Sequence, residues 1–254
     1  MIGQWLQWPQ GADAASNWAT EYAKTASVQW RGSVARISNV RNFTYRTRDD
    51  FTPAWYDADY DLNALTSLDL VVSHWAGESV AHVFVSFGFA DGRYLAVSIE
   101  TRRRQDQQYS AFNGFLRNYG LIYVVADERD LLGVRSDVRR ERVRLYPVQL
   151  PADALRDLFV SYLGRIEGLN KQPEYYNTLF NNCTTNILRH ARSVAPRLRY
   201  NWRILLSGHA DEYTYRMGFL DRGISFEALK ARCLVRRSAD ACITEGYSEA
   251  IRRS

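Results

Sequence analysis

The sequence predicts an α+β fold in which an antiparallel sheet packs against helices. Apolar and polar residues alternate between Val80 and Arg102, which is the period of a β-hairpin. After Pro151 the apolar residues recur three and four positions apart, which predicts a long amphipathic helix. An Asn pair at 181–182 is a favoured helix cap and predicts a further helix behind it. With 254 residues, 46% of them hydrophobic, the chain is long enough for one large core.

The chain divides into two predicted parts. Residues 1–36 are rich in tryptophan and polar residues, and we expect an irregular or partly helical lead-in there. Residues 37–254 contain neither a linker nor an internal repeat, so we expect them to form a single domain. No apolar run approaches the roughly 20 residues of a membrane-spanning helix, and no signal peptide opens the chain. We therefore expect a soluble domain.

The first predicted elements of the domain are strands. Ile37 to Tyr45 has a strand-like composition, whereas the aromatic stretch around Trp55 and Tyr60 indicates a loop. A short strand is predicted at Leu68–Val72, and the following residues, from Ser73 to Gly77, again indicate a loop.

The register of the predicted hairpin follows from the parity of its apolar residues. These occupy odd positions in both strands: Val83, Val85, Phe87, Phe89, Leu95, Val97 and Ile99. A three-residue turn with Gly92 in the left-handed conformation aligns the two apolar faces, whereas a two-residue loop would oppose them. In the aligned register His82 lies opposite Glu100, or one diagonal away, on the face away from the apolar stripe. Cross-strand neighbours at that separation can form a hydrogen bond.

The second half of the domain is predicted to contain two more strands and several helices. The strands lie at 121–125 and 143–148. The helix behind Pro151 has one apolar stripe, made of Leu155, Leu158, Phe159, Tyr162, Leu163, Ile166 and Leu169. A last helix is predicted to begin at Ser225 and to run to Cys233.

The charge of the chain favours an anionic partner. The formal net charge is +5, and basic residues cluster at 102–104, 139–144, 236–237 and 252–253. Anionic phospholipid headgroups fit such clusters, and so does an ordinary solvated surface. No nucleic-acid-binding motif accompanies the clusters, so no nucleic-acid partner is expected.

The three cysteines are unevenly placed. Cys233 and Cys242 lie close together near the C-terminus, whereas Cys183 stands alone upstream. In an oxidising compartment the close pair could form a local disulfide and leave Cys183 as a free thiol. The alternative is three unrelated buried cysteines.

Cys183 is placed where a nucleophile would be expected. It follows the Asn cap and therefore falls in the first turn of a predicted helix that ends before Pro196. Helix N-termini carry unpaired N–H groups and a positive dipole end, which favour a thiolate and can bind an oxyanion. A cysteine nucleophile also needs a base and a group that orients the base. Of the four histidines, His82 is the one on a patterned strand with a carboxylate partner, Glu100.

Each of these residues also has an ordinary structural interpretation. A strand histidine is commonly a structural residue, and a cysteine behind a cap is commonly a small buried hydrophobe. The joint occurrence of Cys183, His82 and Glu100 favours the nucleophile over both alternatives. No Cys or His pair has metal-ligand spacing, and no phosphate-binding loop or dinucleotide fingerprint is present. We therefore expect neither a metal nor a cofactor.

The chain resembles a known family of bacterial envelope proteins. The order of a strand His, a Glu on the next strand and a Cys at a helix start is similar to that of the circularly permuted papain-like, or NlpC-like, thiol enzymes. More specifically, the chain resembles the Lnb N-terminal periplasmic domain family from about Ile37 to Leu229. The resemblance rests on six blocks: Asn39–Thr47, Trp55–Asp57, Ala81–Phe87, Ser98–Arg102, Leu121–Arg129 and Tyr176–Thr185.

The resemblance implies a lipoprotein N-acyltransferase in the periplasm, at the outer face of the inner membrane. Such an enzyme moves a fatty acyl chain from a phospholipid to the N-terminal amine of a lipoprotein. On that model Cys183 attacks the ester and carries the acyl-thioester, His82 transfers the protons, and Glu100 holds the imidazole. The implied partners are the phospholipid donor, the lipoprotein acceptor and the membrane surface, for which the Trp-rich start is an expected anchor.

We expect other residues to assist these three. Support of the site or of an oxyanion is expected from Asn177, Asn181, Asn182 and Thr184, and substrate contacts are expected from His74, Arg102 and Tyr109. Two other functions remain open on the sequence alone. One is a papain-like amidase or peptidase of the cell envelope, which would use water as the acceptor. The other is a lipid- or lipoprotein-binding module without activity.

Overall fold

The computed structural model describes residues 17–107, 119–237, 243 and 246–253. Within them the strands are β1 Ser27–Arg31, β2 Val34–Arg41, β3 Thr44–Tyr45, β4 Phe51–Thr52, β5 Trp55–Asp61, β6 Leu65–Ala76, β7 Val80–Phe89, β8 Tyr94–Arg102, β9 Gly120–Asp127 and β10 Arg142–Pro147. The α-helices are α1 Glu128–Gly133, α2 Ala152–Lys171, α3 Cys183–Val194, α4 Trp202–Leu205, α5 Ala210–Arg216, α6 Phe226–Arg232 and α7 Tyr247–Ala250. The predicted α+β class is confirmed.

The described strands build one eight-stranded sheet and one small two-stranded sheet. The large sheet has the order β1-β2-β9-β8-β7-β6-β10, with β5 paired to β2, and β3 pairs with β4. Neighbours in the large sheet are antiparallel except β2 and β9, which meet in parallel at Arg41 and Ala126. Hairpins β6–β7 and β7–β8 therefore form its centre.

Both faces of the large sheet are buried. The odd residues of β7 and β8, such as Val85 and Val97, pack with the apolar stripe of α2. The even residues, such as Phe84 and Ala96, pack in a second cluster that includes Leu131 of α1 and other residues near the C-terminus. A polar side chain on either face is thus enclosed unless it lies near a strand end, which is where His82 and Glu100 are found.

The β7–β8 hairpin has the predicted three-residue turn. The Phe89 N–H donates to the Arg93 carbonyl over 3.0 Å, and Gly92 between them has φ of 84°, a conformation that favours glycine. The ladder runs from Gly88 opposite Tyr94 to Val85 opposite Val97. The pairs between β6 and β7 and between β8 and β9 continue beyond that point. The β7–β8 ladder ends at the pair of Val85 and Val97. The two strands are not paired beyond it, which leaves room for a site between them.

The predicted strands and helices of the second half are confirmed with small changes at their ends. The α2 helix begins directly behind Pro151, and every residue of its predicted apolar stripe is buried. The α6 helix begins behind Ser225, whose side chain accepts a hydrogen bond from the Ala228 N–H. No helix in the described part of the chain is both long and apolar enough to span a bilayer.

Four segments differ from the predicted secondary structure. Residues 27–36 form β1 and the start of β2 where an irregular lead-in was expected, and the predicted aromatic loop is strand β5. Both β1 and β5 are strands with few buried residues, so neither has the alternation by which a strand is predicted. The residues from Ser73 onwards, where a loop was expected, extend β6. Residues 128–138, for which no element is predicted, form helical turns.

Candidate functional site

Cys183 is the first residue of α3, and its position is fixed by a capping box. The Asn182 side-chain oxygen accepts the N–H of Thr185 over 2.9 Å, and the Thr185 hydroxyl oxygen accepts the N–H of Asn182 over 2.9 Å. The hydroxyl oxygen of Thr184 lies 2.9 Å from the Asn182 oxygen, and its single proton is donated over the shorter distance of 2.7 Å to the Ile204 carbonyl. These bonds hold the first turn rigidly, and the Cys183 side chain within it is buried with 7% exposure.

The loop in front of α3 is held by the other two predicted supporting residues. The Asn177 side-chain oxygen accepts the backbone N–H groups of residues 179 and 180, each over 3.0 Å. The Asn181 amide donates to the Tyr175 carbonyl over 2.9 Å, and its oxygen accepts the Asn186 amide over 2.9 Å. These side chains position the turn that carries Cys183. An oxyanion contact from any of them stays a prediction.

His82 and Glu100 face each other between β7 and β8, as the register predicts. The Nε2 atom of His82 lies 3.1 Å from Oε1 of Glu100, and the two side chains are 18% and 17% exposed. The hydroxyl of Ser98 bridges them, at 2.6 Å from His82 Nε2 and 2.7 Å from Glu100 Oε1. The Cys183 side chain is a further hydrogen-bond partner of His82. The structure therefore brings the three residues together in the predicted order.

The bridge by Ser98 indicates which nitrogen of His82 faces the thiol. A hydroxyl has one proton, and that of Ser98 is donated to Glu100. Ser98 must then accept the second bond, so we infer that Nε2 of His82 carries a proton. The nitrogen that remains for the Cys183 proton is Nδ1. This is the arrangement that a thiol-activating imidazole requires.

Arg135 is a member of the site that the sequence analysis missed. Its guanidinium donates to Glu100 Oε1 over 2.9 Å, lies 5.0 Å from the Phe84 ring and also donates to the Leu131 carbonyl over 2.7 Å. Arg135 lies 35 residues beyond Glu100 in a segment with no predicted element, so no local pattern indicates this contact. Ser98 could have been found, because it shares the parity of Glu100 on β8.

Electrostatic interactions in the site outweigh the effect of burial. Burial raises the pKa of Glu100, but the charge and hydrogen bond of His82, the charge of Arg135 and the Ser98 hydroxyl hold that pKa well below its usual range. Burial lowers the pKa of His82, but the charge of Glu100 and the hydrogen bonds to Cys183 and Glu100 raise it to about 9. The Glu100 carboxylate therefore stabilises the protonated form of the His82 ring, which is the form that results when the ring takes up the thiol proton.

The predicted substrate-contacting residues lie in different surroundings. His74 lies in β6 and not in a loop, and its buried ring is 3.2 Å from the Gly208 carbonyl and 3.4 Å from Arg144. Arg102 lies 4.3 Å from the Trp18 ring. Tyr109 lies outside the described residues. Substrate contacts by these residues stay predictions, and the contacts of His74 are those of a packed structural side chain.

The remaining cysteines and possible metal ligands do not add to the site. Cys233 is a buried free thiol in the structure, and its predicted disulfide partner, Cys242, lies outside the described residues. In the part of the chain that is described, no three His, Cys, Asp or Glu side chains are grouped so as to hold a metal ion.

Comparison with known proteins identifies one related family. The model of the Lnb N-terminal periplasmic domain matches residues 51–216. The matched region contains Cys183, His82, Glu100 and Arg135, together with the central hairpins of the sheet. No curated protein and no solved structure matches the chain.

Proposed function

The chain belongs to the Lnb N-terminal periplasmic domain family, and from this premise we propose that it is a thiol-dependent N-acyltransferase of the cell envelope. The family supports a lipoprotein-related periplasmic protein. In the proposed reaction a fatty acyl chain passes from a phospholipid to the N-terminal amine of a lipoprotein by way of an acyl-thioester on Cys183. The observation that carries the proposal is the hydrogen bond between Cys183 and a His82 ring held by Glu100.

In the first half-reaction Cys183 takes the acyl group. His82 accepts the thiol proton at Nδ1, and the thiolate sulfur bonds to the ester carbonyl carbon of the phospholipid. The Thr185 N–H of the first turn of α3 is taken by the Asn182 cap, so the N–H groups of Cys183 and Thr184 are the ones proposed to donate to the oxyanion that forms. The carbon–oxygen bond of the ester then breaks, and the leaving alkoxide takes the proton from His82. The products are a lysophospholipid and the thioester.

In the second half-reaction the acyl group leaves the enzyme. The lipoprotein amine, as the free base, attacks the thioester carbonyl and forms the amide bond as the carbon–sulfur bond breaks. His82 accepts a proton from the amine and returns it to the Cys183 sulfur. Glu100 and Arg135 contribute by fixing the ring and its charge, since an imidazolium is formed in both halves.

The chain order of the site residues fits a circularly permuted papain-like enzyme. His82 on β7 and Glu100 on β8 precede the helix of Cys183, whereas the cysteine helix comes first in the unpermuted arrangement. We infer that the same thiol–imidazole chemistry is carried by this reordered chain, with a phospholipid ester as the acyl donor.

The proposed donor requires contact with a membrane surface. Trp202, Leu205 and Leu206 are 49%, 42% and 41% exposed and lie on one short segment. That segment is joined to the site because the Thr184 hydroxyl, next to Cys183, donates to the Ile204 carbonyl over 2.7 Å. We propose that these three side chains meet the lipid at the outer face of the inner membrane. Exposed apolar and aromatic side chains next to a lipid-processing site are typical of interfacial binding.

Mass spectrometry of the protein incubated with phospholipid vesicles tests the proposed function. We expect an added fatty-acyl mass on the peptide that contains Cys183, and transfer of that mass when a synthetic diacylglyceryl-cysteine lipopeptide is added. Cys183→Ala should lose the adduct. Cys233→Ala is the matched control, because it removes the other described buried thiol, and it should keep the adduct.

Two results would contradict the transferase. An adduct that is released only as free fatty acid, even with the lipopeptide present, would indicate a hydrolase. No adduct from any phospholipid, with unchanged binding of lipid or lipopeptide, would indicate a binding module.

A further inference from the structure

An apolar cavity of about 90 Å³ lies between the sheet and the helices next to Cys183. Its lining comes from β6, β7, α2, α3 and α5 and from the segment that contains Ile204, and it includes no charged side chain. Representative lining residues are Val83, Val85, Leu158, Leu188 and Ala191. Apolar cavities of this order stay dry and accept apolar ligands. The cavity therefore suits a hydrocarbon and would reject a polar substrate group.

One end of this cavity lies at the candidate nucleophile. Thr184, which directly follows Cys183, lines it, and so does Val83, whose side chain points to the face of β7 opposite to that of His82. Ile204 also lines it, and the exposed Leu205 and Leu206 directly follow Ile204 in the chain. A hydrocarbon chain that enters from a lipid surface beside these residues would thus meet mostly apolar side chains on its way to Cys183.

Tyr162 supplies a second observation that points to a ligand. Its side chain is 1% exposed and lines the cavity, yet its hydroxyl has no hydrogen-bond partner among the described residues. Leaving a buried hydroxyl unpaired costs about 1–3 kcal/mol, so such a group calls for an explanation. The Tyr162 hydroxyl also interacts electrostatically with Cys183. A carbonyl oxygen bound beside the thiol would supply the missing acceptor.

We propose that this cavity binds the acyl chain of the donor ester, with the ester carbonyl between the Cys183 thiol and the Tyr162 hydroxyl. The inference rests on the proposed function for the identity of the donor ester. Binding of a hydrocarbon in the cavity is a separate property and can be tested without that function. Ala191 lies two helical turns beyond Cys183 on α3, so it lines the part of the cavity away from the thiol. The cavity should therefore determine which acyl chain lengths are accepted.

The test fills the far part of the cavity and measures both binding and reaction. Ala191→Leu and, as a second variant, Ala195→Leu each add bulk to the lining. Ala152→Leu is the matched control, because Ala152 is exposed at the start of α2 and does not line the cavity. Circular dichroism and thermal unfolding show whether each variant is folded.

The first readout is the binding of cis-parinaric acid, a fluorescent fatty acid, to the unreacted protein. We expect saturable binding by the wild type and by Ala152→Leu, and at least tenfold weaker binding by either cavity variant. Absence of saturable binding by the wild type would overturn the proposal, and so would unchanged binding by both folded cavity variants.

The second readout is the rate of Cys183 acylation by p-nitrophenyl esters of four to sixteen carbons. We expect the wild-type rate to rise with chain length until the acyl chain fills the cavity and then to level off, because about 90 Å³ encloses only part of a sixteen-carbon chain. The cavity variants should lose at least tenfold on the esters at which the wild-type rate levels off, and progressively less on shorter esters. An unchanged chain-length profile in both variants would overturn the proposal. Fatty-acid binding that the variants weaken, without acylation by any ester, would contradict the proposed function and leave the hydrocarbon site standing.

Discussion

Glu100 is the residue on which the protonation of the site depends. It contacts two cations, with Oε1 3.1 Å from His82 Nε2 and 2.9 Å from the Arg135 guanidinium. His82 and, to a smaller extent, Arg135 keep the carboxylate ionised by lowering its pKa, and the carboxylate in turn raises the pKa of His82 to about 9. Because the pKa of His82 is high, the ring holds the proton that it takes from the thiol. The sulfur is then ionised and reactive, but the return of the proton is slow. The proposed leaving alkoxide of the lipid is a strong base, so it can take the proton from this ring more readily than a weak base could.

Glu100→Gln should lower the pKa of His82 from about 9 towards the ordinary value of about 6.5. The reason is that the amide has the shape of the carboxylate but lacks its charge. Thioester formation should fall by about 10²–10⁴-fold, the range seen when an orienting carboxylate is neutralised. Titration of the His82 ring by NMR measures the first effect, and the acylation rate measures the second. Glu227→Gln, at an exposed position on α6, should change neither. A His82 pKa that stays near 9 in Glu100→Gln would show that another group sets it.

At the scale of single elements, the cap of α3 connects the fold to the chemistry. The Asn182 side-chain oxygen accepts the Thr185 N–H from the turn that contains Cys183, and its own amide donates to the Thr178 carbonyl over 2.6 Å. The α6 helix has a comparable cap in Ser225 but carries no residue of the site. A comparison of the two caps therefore distinguishes the effect of a cap on helix stability from its effect on the position of the Cys183 thiol.

Asn182→Ala and Ser225→Ala should each destabilise the protein by about 1 kcal/mol, the usual cost of a lost N-cap. In a chain of this size such a loss lowers Tm by about 2–4 °C. Only Asn182→Ala should also slow the alkylation of Cys183 by iodoacetamide, because only that cap orients the thiol relative to His82. Thermal unfolding and timed alkylation are the two measurements. Equal alkylation rates in the two variants would mean that the cap has no part in placing Cys183.

The elements that could be predicted are those whose register or boundary depends on near neighbours. The parity of the apolar residues together with Gly92 determines the β7–β8 hairpin, and so places His82 opposite Glu100. The Asn182 cap likewise determines where α3 begins. Edge strands such as β1, and long-range contacts such as that of Arg135, depend on tertiary packing, which leaves no local pattern. The meeting of Cys183 with His82 is also a long-range contact, and the sequence makes it only a hypothesis.

At the scale of the whole molecule, the C-terminal residues complete the layer behind the sheet. The Arg252 guanidinium donates to Asp69 over 2.6 Å and to Glu128 over 2.7 and 2.8 Å. It also lies 3.5 Å from the centre of the Tyr94 ring. Tyr247 and Ile251 pack in the same layer as Phe84, which lies next to Arg135. The site is therefore supported by both cores, with Cys183 in one and Phe84 in the other.

We propose that the apolar segment beside the cavity sets the orientation of the molecule on a membrane. Gly208 lies so close to the β6–β7 turn that a side-chain carbon there would come within 2.0 Å of the Glu78 carbonyl. This contact holds the apolar segment of Trp202, Leu205 and Leu206 against the turn, where Trp75 is also exposed, by 54%. Among the described residues, a group of exposed large apolar side chains thus lies near this turn, on the segment that contacts Thr184 beside Cys183.

Replacing Trp202, Leu205 and Leu206 together by alanine should weaken binding to phospholipid vesicles by at least about tenfold. Burial of one large apolar side chain contributes about 1.5–3 kcal/mol, and a loss of about 1.4 kcal/mol already corresponds to a tenfold change. The matched control is Trp30→Ala with Val160→Ala, because these side chains are similarly exposed, by 43% and 42%, on β1 and α2.

Co-sedimentation with vesicles of phosphatidylethanolamine and phosphatidylglycerol measures the binding. The triple variant should also lose acylation by vesicle phospholipid while it keeps acylation by a soluble four-carbon ester, since the chemistry of Cys183 is untouched. If the control loses as much vesicle binding as the triple variant, the molecule meets the membrane through another face. In that case the cavity rim does not open towards the lipid, and the donor must reach Cys183 by a different path.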